Sequence, residues 1–262
     1  MLAEDPLSEN KLFSLAGRRA LVTGASKGIG LAIARGLAVQ GASIVLNGRD
    51  AGRLKEAQTQ LAQEGIEAEI SAFDVTDQEA VIASVKDIET RLGPIDILIN
   101  NAGIQHRAPL DQFPRKDWDR LISTNLNSVF FVAQAVAQHM IPRQRGKIVN
   151  ICSVQSELAR PGIAPYTATK GAVKMLTKGM ATDWARHNLQ INGLAPGYFE
   201  TEMNAALVAD EKFSAWLRQR TPAARWGKVE ELIGAAVFLS SDASSFVNGH
   251  ILMVDGGITA SV

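Results

Sequence analysis

The chain has 262 residues, 46% of them apolar and 21% charged, which is enough to bury the core of one large domain and excludes a disordered chain. Lysine plus arginine match aspartate plus glutamate at 27 each, so no excess of charge draws the chain to nucleic acid or to an anionic membrane. A single cysteine, Cys152, excludes an internal disulfide framework; a cytoplasmic protein with a small-molecule partner is expected.

Residues 1–15, starting "MLAEDPLSENKLF", read as a polar tail without the basic flank and apolar core of a signal peptide. From Arg19 the strand-like "RALVTG" passes through the turn "TGASKGIG" into the helical run "LAIARGLAVQG". The strand "ASIVLNGR", the helix "AGRLKEAQTQLAQEG", the strand "EAEISAFDV", the helix "DQEAVIASVKDIETRLG" and the strand "IDILINNAG" follow in turn. Then come one long helix over "KDWDRLISTNLNSVFFVAQAVAQHM", the strand "GKIVNIC", a helix over "YTATKGAVKMLTKGMATDWARHN" and the strand "LQINGLAPG". This alternation predicts right-handed crossovers, hence an α/β fold in which a doubly wound, mostly parallel sheet of the Rossmann type forms one domain over 16–262. Residues 199–224 interrupt the alternation with an amphipathic stretch, read as a substrate lid; a surface helix pair is the competing reading.

Glycines Gly24, Gly28 and Gly30 between a strand and a helix suit close approach of a diphosphate to main-chain N–H groups. After the next strand, an acid would select NAD and an arginine NADP. Here the stretch is "LNGRD": Gly48 stands at the acid's position, Arg49 follows, and Lys27 adds a second cation, so NADP is favoured over NAD. Asp50 is the competing acid. Asp74 and Val75 in "FDVTD" suit an adenine, or else an ordinary helix cap. Asn100 to Gly103, "NNAG", either steady neighbouring turns or line the cofactor.

Tyr166 and Lys170 in "YTATK" share one helix face, where an ammonium would lower the phenol's pKa and make it a usable acid or base. Ser153, at the end of the "GKIVNIC" strand, projects over the same crevice. Asn125 places an amide inside an apolar helix, which calls for a buried hydrogen bond, a local helix distortion or a water site.

Taken in order, "TGASKGIG", "NNAG", Asn125, Ser153, "YTATK", Pro196–Gly197 and "VDGG" resemble the motifs of the short-chain dehydrogenase/reductase family from about Arg18 to Ile258. The resemblance implies that Tyr166 is the acid/base, that Ser153 steadies the reacting oxygen, that Lys170 binds the nicotinamide ribose and lowers the Tyr166 pKa, and that Asn125 holds a relay water. It also implies that Pro196, Gly197 and Thr201 meet the nicotinamide half, while Gly24, Ser26, Lys27, Gly28, Ile29, Gly30, Asn101 and Gly103 surround the rest. A homotetramer is implied as well, with the last strand and the long fourth and fifth helices at its interfaces.

Within the family, "NNAGIQHRAPL", "NICSVQSELARPG" and "TPAARWG" resemble a branch acting on sugar acids. Members of that branch carry Asp at the position of Gly48, so the cofactor expectation rests on Arg49 and Lys27. A sugar acid needs a cation for its carboxylate and polar groups for its hydroxyls; Arg107, His106, Gln155, Glu157 and Arg160 are available. Arg107 is favoured for the carboxylate, with Gln155 and Glu157 beside Ser153 and Tyr166; His106 is read as a rim residue, and an Arg160–Glu157 clasp is the structural alternative. The rival readings are a 3-oxoacyl carrier-protein reductase, which would want a basic docking patch, and a dinucleotide sensor that has lost catalysis, against which the complete Ser153, Tyr166 and Lys170 set argues.

Overall fold

The computed structural model describes residues 8–262, so residues 1–7 of the expected tail lie outside the described residues. Ser8–Phe13 forms a short 3-10 helix, and Leu15 is fully buried with its N–H donating to the Gln40 carbonyl at 2.8 Å. The expected tail over 1–15 therefore stops short of Leu15, because an apolar side chain at the end of a polar stretch gains more from the core than from water.

Seven strands form one parallel sheet in the order β3-β2-β1-β4-β5-β6-β7. They are β1 (Arg19–Val22), β2 (Ser43–Gly48), β3 (Ala68–Ala72), β4 (Ile97–Asn100), β5 (Gly146–Ile151), β6 (Leu189–Pro196) and β7 (Ile251–Val254). Side chains alternate across such a sheet, so each central strand feeds two cores. Ala20, Val22, Ile97 and Ile99 join Leu31, Leu37, Leu54 and Leu239 on one face. Leu21, Leu98 and Ile148 meet Val85, Ile88, Val132 and Met140 on the other. The first face is covered by α1 (Gly28–Val39), α2 (Ala51–Gln63) and α9 (Ile233–Ser240), the second by α3 (Gln78–Arg91), α5 (Ser128–Arg143) and α6 (Ala164–Trp184).

The single long helix expected over 116–140 is instead α4 (Arg115–Ile122), a π-helical turn at Ser123–Asn127, and α5. A π turn inserts a residue into the ladder, and here it turns Asn125 toward the loop after β4. The Asn125 amide accepts from Ile104 N at 2.8 Å and donates to Ile104 O at 2.9 Å, so the hydrogen bonds of the loop repay the break.

Strand order reverses where β1 lies between β2 and β4, and this switch point opens a crevice at the carboxyl ends of the strands. Above it stands the 199–224 segment, which contains α7 (Ala205–Val208) and α8 (Glu211–Arg220). An Asp210 cap starts α8, and Phe213 and Leu217 turn inward against Val154 and Trp226.

Candidate active site

The crevice holds a cavity of about 380 Å³. Its floor is the turn between β1 and α1. A Cβ on Gly30 would sit 2.5 Å from the Gly24 carbonyl oxygen, so that glycine lets the turn close on itself. Gly28 differs: its φ is +58°, a Cβ there would meet nothing within 4 Å, and it lines the cavity. No side chain caps α1 and no acid stands in its first turn, which leaves the positive helix end to a ligand. Asn101 of "NNAG" donates to the carbonyls of Thr23 and Gly24 at 2.9 and 3.0 Å; it both steadies the turn and lines the cavity. Asn100 is buried and bonds Asn150, away from the cavity.

At the nucleotide end, Gly48, Arg49, Asp74 and Val75 all line the cavity. Asp50 does not, because its carboxylate caps α2 by accepting from Arg53 N at 3.1 Å. The competing acid is thus committed to its helix, while Arg49 stands exposed with Asp74 Oδ2 at 3.8 Å. Lys27 spans the mouth of the crevice and pairs with Glu202 of the covering segment. Cations without a buried partner next to a glycine-lined floor fit a phosphorylated dinucleotide. The buried hydroxyl of Thr201, beside Pro196 and Gly197, has no protein partner and fits its other end.

Ser153, Tyr166 and Lys170 line the wall. Ser153 follows β5, where its hydroxyl accepts from Gln155 N at 3.1 Å, and Tyr166 and Lys170 lie on the first turns of α6. The Lys170 ammonium donates to the Ile151 carbonyl at 2.6 Å and stands 5.8 Å from the centre of the Tyr166 ring. Burial lowers the Lys170 pKa to about 8. Burial also pushes the Tyr166 phenol above its ordinary range, against the opposing pull of a hydrogen bond from Ser153 and the charge of Arg107. The direction is thus opposite to the one expected from Lys170, because desolvation of the phenol outweighs the Ser153 hydrogen bond and the charge of Arg107. Cys152, next to Ser153, is a neutral thiol, raised to about 11 by burial.

At the far end stand Arg107, Gln155, Arg160 and Tyr198. Gln155 donates to the Tyr198 hydroxyl at 3.3 Å, and its own carbonyl oxygen is buried without a partner. Glu157 corrects the sequence reading: it turns out of the crevice to pair with Lys174 on α6 and does not line the cavity. Nor does it clasp Arg160. His106 packs on Phe113 and faces Asp117 at 3.5 Å, outside the cavity. The sequence reading missed Tyr198 and Glu202. Tyr198 follows Pro196–Gly197 at a strand's carboxyl end, a signal that points to it; nothing local marks Glu202, whose partner is 175 residues away. Trp226 is buried against Tyr198 and Phe213, and Trp216 packs on the same pair at the surface; neither reaches the cavity. Among the described residues no three His, Cys, Asp or Glu gather to hold a metal ion, and no helix is long and apolar enough to cross a membrane.

The profile of the short chain dehydrogenase family matches residues 18–212. Gluconate 5-dehydrogenase of Gluconobacter oxydans (strain 621H) is 73% identical over 256 residues, covering 98% of this chain and 100% of that protein. The 5-keto-D-gluconate 5-reductase of Escherichia coli (strain K12) is 57% identical over 253 residues, covering 97% and 100%. Among solved structures, a gluconate 5-dehydrogenase from Burkholderia cenocepacia J2315 in complex with NADP and tartrate superposes with a TM-score of 0.94 at 61% identity, covering 96% of this chain and 99% of that one.

Proposed function

The chain belongs to the short chain dehydrogenase family, and on that premise we propose that it is an NADP-dependent oxidoreductase interconverting D-gluconate and 5-keto-D-gluconate. The observation that carries the reading is the gathering of Ser153, Tyr166 and Lys170 on one wall of a crevice whose far end presents arginines. NADPH, when bound, supplies a hydride to C5 of the keto acid, and NADP accepts one in the reverse direction.

The protein's own groups handle the proton. In reduction the Tyr166 hydroxyl gives its proton to the C5 oxygen while the Ser153 hydroxyl donates a hydrogen bond to the same atom; in oxidation Tyr166 takes the proton back and Ser153 keeps its hydrogen bond. Lys170 holds the nicotinamide ribose, and Asn125, at the π turn, is the water-holding member of the proton relay. Gly24, Ser26, Gly28 and Ile29 cradle the diphosphate on a turn that Gly30, itself outside the cavity lining, allows to close; Asp74, Val75, Asn101 and Gly103 line the adenosine side, and Pro196, Gly197 and Thr201 receive the nicotinamide. Arg49 and Lys27 take the 2′-phosphate, and Arg107 and Gln155 meet the substrate. Residues 199–224 act as the lid: Glu202, Met203, Asn204 and Leu207 from this segment line the cavity.

The test is the absorbance of NADPH and NADH with 5-keto-D-gluconate, with an acyl ketone and an unrelated keto sugar as controls. Rapid oxidation of NADPH by the keto acid is expected; activity confined to the acyl ketone overturns the reading. The cofactor assignment is tested separately by Gly48→Asp. A Cβ there meets Leu54 Cδ2 at 3.4 Å, an ordinary contact, so the fold accepts the change. The added carboxylate repels a 2′-phosphate and accepts a ribose hydroxyl, so kcat/KM with NADPH should fall by about 10- to 100-fold and that with NADH should rise. An unchanged ratio sinks the Arg49 assignment.

The enzyme is further proposed to act in the cytoplasm as a homotetramer. Phe246, Met175 and Phe130 support the assembly: these large apolar side chains are exposed on the single chain. Light scattering should return four times the chain mass.

A further inference from the structure

A sugar acid differs from a neutral sugar by one carboxylate, and a carboxylate entering a half-enclosed crevice has to exchange water for fixed donors. Two guanidiniums face the far end of the crevice, those of Arg107 and Arg160, and among the described residues neither has a carboxylate partner. Partial burial lowers the proton affinity of Arg107 and the nearby charge of Arg160 lowers it further, so the two cations repel each other. The two differ in how they are held. Arg107 is exposed on the loop after β4. Arg160 is half-buried, lies 5.3 Å from the centre of the Phe213 ring and stands near enough to the Tyr198 hydroxyl to oppose the rise that burial gives its pKa. Its Nε is hidden from solvent without a protein partner. The Gln155 amide, which donates to the same Tyr198, likewise has its carbonyl oxygen buried without a partner. The far end of the crevice thus offers a fixed donor fork and an acceptor, the pattern that recognises a carboxylate next to hydroxyls.

We propose that Arg160 is a specificity-determining residue: its guanidinium, with Arg107, holds the substrate carboxylate at the end of the carbon chain remote from the carbonyl over Tyr166. The inference rests on the sugar-acid reading and assigns the charge recognition within it. Because Arg160 rests on Phe213 of α8, the carboxylate is held where the lid meets the crevice wall, so the charge of the substrate is read as the lid covers it.

The test is steady-state reduction of 5-keto-D-gluconate and of a neutral ketohexose by NADPH with the wild type, Arg160→Met and Arg160→Lys. Arg160→Met should raise KM for the keto acid by about 10- to 100-fold, the loss of one charge-assisted pair, and leave KM for NADPH and kcat/KM for the neutral ketone within twofold. Arg160→Lys should recover part of the loss, since the charge returns without the fork. An equal loss on both ketones, or an unchanged KM for the keto acid, overturns the proposal, the first outcome showing a packing role on Phe213. If the wild type turns over neither ketone, the reading of the activity has failed; calorimetric titration with D-gluconate and with neutral D-glucitol then decides the arginine assignment. Gluconate binding that weakens in Arg160→Met, or in Arg160→Lys if the methionine variant does not fold, supports it; no preference for gluconate overturns it.

Discussion

Tyr166→Phe lowers kcat for keto-acid reduction by about 10²- to 10⁴-fold, the range for removing a positioned proton donor, while NADPH still binds. The two side chains share a ring, half-buried in the crevice wall, so the variant deletes one hydroxyl and leaves the packing of α6 intact. Ser153 keeps its contact with Gln155 N and can still polarise a carbonyl, but it has no second group to draw a proton from. The quenching of NADPH fluorescence on binding should therefore be unchanged when turnover is lost. Turnover within tenfold of the wild type sinks the assignment of Tyr166 as the acid.

Lys170→Met should lower kcat/KM by about 100-fold, because it removes the ammonium that is proposed to hold a ribose and that stands over the Tyr166 ring. The pH dependence supplies the sharper readout. With its pKa lowered to about 8, Lys170 loses its charge just above neutrality, so wild-type kcat/KM for reduction should be level near pH 7 and fall as pH rises through about 8. That limb should be absent from the Met variant. Stability moves the other way. The unfolded lysine keeps its proton up to its ordinary value of about 10.5. Between about 8 and 10.5 the unfolded chain binds the extra proton, and the contribution of this group to stability rises with pH across that window. Below it the folded protein bears a desolvated charge. Thermal unfolding near pH 7 should accordingly show Lys170→Met no less stable than the wild type; a large drop would show that the bond to Ile151 O outweighs the burial of the charge.

The fold and the catalytic wall were legible because their signals are local. Strand and helix periods lie within single segments, and the four-residue step from Tyr166 to Lys170 fixes their shared face as soon as α6 forms. Ser153 needed only the end of one strand. The long helix through Asn125 misled for the opposite reason: its apolar period runs unbroken, and the π turn exists because a loop from β4 offers Ile104 to the Asn125 amide. The sequence favours Arg49 over its neighbour Asp50 for the cofactor, and the need of α2 for a cap is what takes Asp50 away from the crevice.

By itself, then, the sequence determined the parallel sheet, the glycine turn at its switch point and the Ser153, Tyr166 and Lys170 set, since each depends on spacing within one element or at its end. Only the tertiary structure decided which charges face the crevice. Glu157 turned to Lys174 while Arg160, three residues on, turned to Phe213 and Tyr198; Lys27 met Glu202 across the mouth; and burial set the direction of the Tyr166 pKa. Those outcomes depend on desolvation and on partners far away in the chain. A charged side chain has no preferred partner until packing has removed its water and brought the candidates within a few ångströms.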